Sequence, residues 1–346
     1  MFKYLIGNDL VKHTLKLLVA NGRVPNSLLF AGDEGIGKRQ FALELSRNFL
    51  CTDGEIDEAC GVCPVCSRVK EFNIPQVTDK NKSEFEKVFF GGHLDVGMAV
   101  AYKNFILVDA IRDLEKQANY RPFEGPARFF IVNEADRMNE NASNALLKIL
   151  EEPPPTSYIF LITSRPDSLL PTIRSRCQTL RFAPVAVEEI EQYLINERAF
   201  SHDEARLASR LARGSIGRAV SINISDFRGR RDRMLGVLRD AIATGDRAAL
   251  MRASDEMNDA KNKESFEESL DTLESLIHDV WAIRTTGDET RLVNADLTDD
   301  LKRLADESGT ADLPSWITET ETLRENLIVN INRKVATAAL FAEMVG

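Results

Sequence analysis

Residues 32–38 read GDEGIGK and fit the pattern G-x-x-x-x-G-K. Glycines in such a turn let backbone N–H groups approach phosphate oxygens, and the closing lysine reaches the outer phosphates. Gly32, Gly35, Gly37 and Lys38 are therefore the candidate nucleotide-binding residues, the alternative being a glycine-rich turn that holds nothing. The next position normally supplies a Ser or Thr hydroxyl to Mg²⁺, and here it is Arg39. After the apolar run 129–132 (FFIV), the position that would offer a magnesium-organising Asp is Asn133, although Glu134 keeps the place of a water-polarising base. Phosphoryl transfer depends on Mg²⁺ to neutralise charge developing on the phosphates. The pattern thus predicts no intrinsic ATPase activity and leaves ATP binding doubtful. The competing reading gives the metal to Asp136 or Glu134.

Two further groups could do chemistry. Cys51, Cys60, Cys63 and Cys66 are four of the five cysteines and fall in one short segment. Four thiolates suit a structural, tetrahedral Zn²⁺ with no open position for catalysis. The spacing is not that of a paired ribbon, so an iron–sulfur cluster or free redox thiols also fit it. The stretch 171–177 (PTIRSRC) carries Arg176. An isolated arginine is usually a solvated surface residue. At the edge of a nucleotide-binding fold, its planar guanidinium can instead stabilise phosphate charge across a subunit boundary. Cys177 reads as a small buried residue, and His13, His93, His202 and His278 are scattered.

These residues need elements to hold them. Residues 27–31 (SLLFA) read as a strand running into the glycine loop, and 38–50 as the helix after it. Strands are also expected at 128–132, 158–162 and 178–182. The helix 139–151 places Ala142, Ala145, Leu146, Ile149 and Leu150 on one face and stops at Pro153. Such alternation predicts an α/β core, a parallel sheet covered on both faces. Beyond residue 187 only helices are expected: a compact group at 188–197, 203–213 and 218–222, then long charged helices. Leu323, Leu327, Val335, Ala339, Leu340 and Met344 supply the apolar positions of the last two. Residues 71–104 read as a loop-rich insertion.

Composition narrows the function. A chain of 346 residues, 43% hydrophobic and 28% charged, is suited to two or three soluble domains. Asp and Glu outnumber Lys and Arg by 54 to 44, for a net charge of −10. A protein gripping duplex DNA alone usually shows a basic excess, so protein partners are expected instead. No apolar run approaches the roughly 18 residues of a membrane span, and the start has no signal-peptide pattern. A cytoplasmic location follows.

Taken together, the motifs resemble the delta-prime subunits of the bacterial DNA polymerase III clamp loader, an AAA+ family. The matching pieces are 6–8 (IGN), 23–27 (RVPNS), the altered glycine loop, the four-cysteine insert, 144–153 (NALLKILEEP), 175–177 (SRC), Gly214 with Ser215, and 325–333 (ENLIVNINR). The resemblance implies a RecA-like AAA+ core over 1–183 with a zinc insert at 51–66, a small helical lid over 184–226, and an all-helical collar over 227–346. It implies zinc on Cys51, Cys60, Cys63 and Cys66, and a sensor at Thr163 or Ser164. Arg176 would complete the ATP site of an adjacent subunit, in a five-membered ring that loads the sliding clamp onto DNA. The implied partners are ATPase subunits of the gamma/tau type and a delta subunit, and through them the clamp and primed DNA, with no membrane. Two departures stand out: Gly217 occupies the place of the second sensor arginine, with Arg218 one residue later, and 71–92 is longer than the family needs. The alternatives are an active ATPase motor of the gamma/tau type and a zinc-dependent nucleic-acid module, which the acidic balance disfavours.

Overall fold

The computed structural model describes residues 2, 4–54, 58–259, 262, 265–289, 292–327 and 332–345. Residues 328–331 of the asparagine-containing junction therefore lie outside it. The chain forms two compact units, residues 1–205 with 212–221 and residues 206–211 with 222–346.

The first unit is built on six strands: β1 (Ser27–Ala31), β2 (Phe89–Phe90), β3 (Val96–Ala99), β4 (Arg128–Val132), β5 (Ser157–Thr163) and β6 (Gln178–Arg181). Their order is β2-β3-β4-β5-β1-β6, and every pairing except β2 with β3 is parallel. Every residue of β1 and β4 is buried, as expected of apolar runs in a sheet covered on both faces. The helices are α1 (Asp9–Ala20), α2 (Lys38–Leu50), α3 (Pro64–Arg68), α4 (Val108–Ala118), α5 (Glu140–Glu151), α6 (Pro171–Arg174), α7 (Val187–Arg198), α8 (His202–Leu211) and α9 (Ile216–Ser221). Asn139 caps α5 by accepting the Ala142 amide at 2.9 Å. Parallel strands put their carboxyl ends on one side, with Ala31 opposite Thr163 and Val132 opposite Leu161. The loops after β1, β4 and β5 consequently emerge together, where open α/β sheets hold ligands.

The expected loop-rich insertion needs correction. Residues 71–88 do lack strands, but β2 and β3 follow, and β3 is a buried strand inserted between β2 and β4. Its four residues VGMA open an apolar run, 96–102 (VGMAVAY), of the length a buried strand shows, so the sequence carries a strand signal there, interrupted only by a glycine. Gly97 is there for space: a Cβ would meet the Val88 side chain at 2.5 Å.

Just before β3, Asp95 anchors the loop ahead of β4. Its carboxylate accepts the amides of Phe123, Glu124 and Gly125 at 2.7, 2.8 and 2.9 Å, and it faces the Arg128 Nε at 3.5 Å. Arg128 is fully buried, its guanidinium 5.4, 5.0 and 5.2 Å from the rings of Phe90, Phe123 and Phe130. Burial pulls its pKa down and Asp95 opposes this. Removing one partner strands a buried charge. Asp95→Ala is expected to cost about 3–5 kcal/mol, read from the urea midpoint at constant m. A loss below about 1 kcal/mol, the size of an exposed pair, would show that the pair is structurally idle.

The second unit is helical: residues 206–211 of α8, then α10 (Ile224–Arg239), α11 (Arg247–Asn258), α12 (Phe266–Thr286), α13 (Thr298–Glu307), α14 (Leu313–Leu327) and α15 (Arg333–Glu343). α12 is the central element, with Leu270, Leu273, Leu276, Ile277 and Val280 fully buried. Leu323, Leu340 and Met344 join this core as expected, whereas Val335 and Ala339 are exposed. Asn332 caps α15 through the Val335 amide, and the buried face is set by Thr337, Leu340 and Phe341. Within this unit Asp279 accepts the amides of Val293 and Asn294, and Arg231 forms a two-armed pair with Asp296 at 2.7 and 2.6 Å. Among the described residues no helix is long and apolar enough to cross a membrane.

Candidate functional site

The glycine loop leaves β1 and ends at α2. Gly32, Gly35 and Gly37 have φ of 153°, 74° and 97°, and a Cβ on Gly35 would fall 2.2 Å from the Ser215 Oγ. The loop is pressed from outside by the start of α9. Gly217 donates its N–H to the Gly35 carbonyl at 2.8 Å, and a Cβ at 217 would stand 3.2 Å from the Gly35 Cα. The departure at Gly217 thus has a steric reason. Lys38 is buried, and its ammonium donates to the carbonyls of Gly32 and Asp33. Burial lowers its pKa, against the opposing fields of Asp33, Glu34, Asp136 and Glu134. A cavity of about 1420 Å³ opens over the loop, lined among others by Lys38, Arg39, Asn133, Thr163, Ser164 and Arg218.

On the side where a metal would stand, Arg39 is exposed to this cavity. Asn133, the residue after β4, lies with its amide nitrogen 3.5 Å from the Glu134 Oε1. Glu134 adopts a left-handed backbone (φ 57°) and pairs through Oε2 with Arg137 Nε at 2.8 Å. Asp136 accepts from Thr163 Oγ1 at 2.8 Å and from Arg165 Nε and Nη2 at 3.1 and 2.9 Å. Burial raises its pKa, but the bonds from Thr163 and Arg165 outweigh this and hold it below the usual carboxylate value. Both carboxylates are thus paired with arginines. Arg137 and Arg165 escaped the sequence reading. Arg165 could have been suspected, because it directly follows the sensor candidates Thr163 and Ser164, and all three line the cavity.

The cysteine cluster forms beyond the end of α2. The Sγ atoms of Cys51, Cys60, Cys63 and Cys66 all lie within 4.8 Å of one another, so the four can hold a metal ion. The amides of Cys60, Cys63 and Cys66 point at the sulfurs of Cys51, Cys60 and Cys63 at 3.3, 3.3 and 3.4 Å. Such bonds favour thiolate over thiol. Burial raises the pKa of both Cys63 and Cys66. At Cys63, hydrogen bonds from Cys66 and Cys60 overturn that and bring it down, whereas Cys66 stays high. The wrap is tied to the loop before β4, because Arg68 grips Glu124 with two bonds of 3.0 and 2.7 Å.

Arg176 lies between α6 and β6, the edge strand beside β1. Its guanidinium donates to the Thr172 carbonyl at 2.9 Å and to Glu151 Oε1, at the end of α5, at 2.7 Å. It does not line the cavity over its own glycine loop. Cys177 beside it is buried, which pushes its thiol up to about 12.

A parallel sheet ordered with β1 between β5 and β6, a glycine loop at the end of β1 and helices lying against that loop define a RecA-like core of the AAA+ class. The family described as "DNA polymerase III, delta subunit" matches residues 7–186. The chain is 30% identical over 329 residues to DNA polymerase III subunit delta' of Bacillus subtilis, covering 94% of this chain and 93% of that one. It is 28% identical to the Escherichia coli subunit delta', covering 91% and 87%. Against DNA polymerase III subunit tau of Escherichia coli it is 27% identical, but over 64% of this chain and 32% of that protein. The chain belongs to the DNA polymerase III subunit delta' family.

Proposed function

We propose that this chain is a clamp-loader subunit that turns over no ATP itself and offers Arg176 to the ATP of an adjacent subunit. The observation that carries this reading is the state of the metal side. A guanidinium stands where Mg²⁺ takes a hydroxyl oxygen and a neutral amide where it takes a carboxylate, and the nearby carboxylates of Asp136 and Glu134 are already held by Arg165 and Arg137. Hydrolysis without that ion loses its main source of charge neutralisation. Arg176 supports the second half, since it sits at the sheet edge and away from its own cavity. The gamma/tau alternative has less support: the likeness to tau stops short, whereas that to subunit delta' runs nearly end to end.

In this reading 1–183 is the core, 184–226 a lid, and 227–346 a collar that joins a cytoplasmic ring with gamma/tau-type and delta subunits. The ring acts on the sliding clamp and primed DNA. The four sulfurs would hold a structural zinc, a fit supported by their mutual closeness and their N–H···S bonds. The isolated protein is expected to release phosphate from ATP no faster than its Lys38→Ala variant, as followed by a coupled phosphate assay. A rate clearly above that control would point to a motor subunit instead. Native mass spectrometry with the candidate partners tests membership, by whether this chain enters the ring.

A further inference from the structure

The losses on the metal side remove a cation from the glycine loop, yet the loop itself is intact. Gly35 and Gly37 keep the left-handed backbone that bends it, and among the described residues no acceptor takes their amide hydrogens. Lys38 is in place and buried. The cavity above is about 1420 Å³ and is lined by Arg39 next to Lys38, with Arg137, Arg165, Arg213 and Arg218 also contributing. In a magnesium-dependent loop, residue 39 reaches the phosphates only through the ion. An arginine there brings the charge itself, in a planar fork suited to phosphate oxygens.

We propose that this cavity binds a polyphosphate anion, a nucleoside di- or triphosphate, without a metal ion, the Arg39 guanidinium taking the charge-neutralising place of Mg²⁺. The site fits Mg²⁺ poorly and fits the bare anion well. Of the carboxylates lining the cavity, Asp136, Glu134 and Glu44 are each engaged by an arginine, and Asp33 and Glu34 of the loop are opposed by Lys38, Arg39 and the other arginines of the lining. Binding requires Lys38 to trade the carbonyls of Gly32 and Asp33 for phosphate oxygens. The packing of Gly217 on the Gly35 carbonyl uses an oxygen that an anion does not need. Such a ligand would be held and not consumed, a binding role for a loop that turns nothing over. The inference builds on the reading of the metal side given above, but it concerns affinity, whereas that reading concerns turnover.

The test is titration calorimetry of the full-length protein with ATP and with ADP, each in EDTA and in excess Mg²⁺, beside a phosphate-release assay on the same samples. The expected result is saturable binding in EDTA that excess Mg²⁺ weakens severalfold, because the ion neutralises the phosphates and competes with Arg39. Inorganic tripolyphosphate separates the two sources of the anion. Weaker binding than ATP identifies a nucleotide site, and equal binding a general polyphosphate site; either result supports the proposal. Arg39→Ser removes an exposed side chain and restores the metal-holding hydroxyl. It should weaken binding in EDTA by roughly tenfold or more, the scale of a charged hydrogen bond, and reverse the metal preference. No binding in EDTA, binding that requires Mg²⁺, or EDTA affinity indifferent to Arg39→Ser would each overturn the proposal. Phosphate release in the parallel assay would instead strike at the non-hydrolysing reading.

Discussion

Replacing Arg176 by alanine is expected to slow ATP hydrolysis at one site of the assembled ring by roughly 10³- to 10⁵-fold, the range found for arginine fingers. In the proposed arrangement the site affected would be that of the neighbour facing β6, and any other site would depend on an arginine of its own. In single-turnover phosphate release, one class of site should therefore drop out while the rest keep pace. Steady-state turnover will fall by less. Arg176→Lys should restore little, because a point charge cannot reproduce two parallel donors on one phosphate. The guanidinium is anchored to Glu151 at 2.7 Å, but both side chains are partly exposed, at 34% and 51%. An exposed pair is worth at most about 1 kcal/mol. Glu151→Gln should accordingly cost far less than Arg176→Ala, and an equal cost would mean that the pair acts as structure alone.

Loss of a metal held by the four cysteines is the second large effect expected. Four-thiolate zinc sites contribute on the order of 10 kcal/mol in small peptides, where there is no fold without the ion. Here the cluster is an appendage to a unit with its own apolar core around Phe30, Phe41, Phe129 and Phe160, so the consequence should be local. Cys66 is fully buried, and its replacement by serine removes one of the four clustered sulfurs. Elemental analysis should find about one zinc per wild-type chain and none in Cys66→Ser, the stoichiometry of a four-ligand structural site. Hydrogen exchange should show the amides of Cys60, Cys63 and Cys66, which now point at sulfur, losing protection while β1 and β4 keep theirs. Wild-type protein without zinc, or with the absorption of iron and sulfide, would contradict the assignment.

Much of the first unit is readable because its parallel strands are short, continuous apolar runs next to strong punctuation. β1 ends in glycines, α5 is capped by Asn139 and stopped by prolines, and both fall where their residues say they must. β3 lies in an apolar run too, 96–102, but Gly97 within it weakens the strand reading. The cysteine cluster is visible as spacing, but what brings the four sulfurs together is a set of backbone N–H···S bonds that spacing cannot display. Arg39 and Asn133 declare the altered metal side directly. The pairing of Asp136 with Arg165 and of Glu134 with Arg137 does not show in the sequence. The first depends on how β4 and β5 lie side by side, and the second is a local contact three residues apart that follows the left-handed backbone at Glu134. On α15, Val335 and Ala339 are apolar in the sequence but exposed in the structure, and packing buries Thr337 and Phe341 with Leu340 instead.

The central claim is that this chain helps hydrolysis in a neighbour and performs none itself. One measurement separates the two halves: phosphate release by the reconstituted ring, stimulated by clamp and primed DNA, with this chain carrying either Glu134→Gln or Arg176→Ala. Glu134 stands in the position of a water-polarising base but is paired with Arg137, whereas Arg176 lies away from its own cavity. The account predicts an unchanged rate with Glu134→Gln and a clear fall with Arg176→Ala, both rings assembling normally. A fall with Glu134→Gln and a wild-type rate with Arg176→Ala would contradict it and mark the chain as a motor.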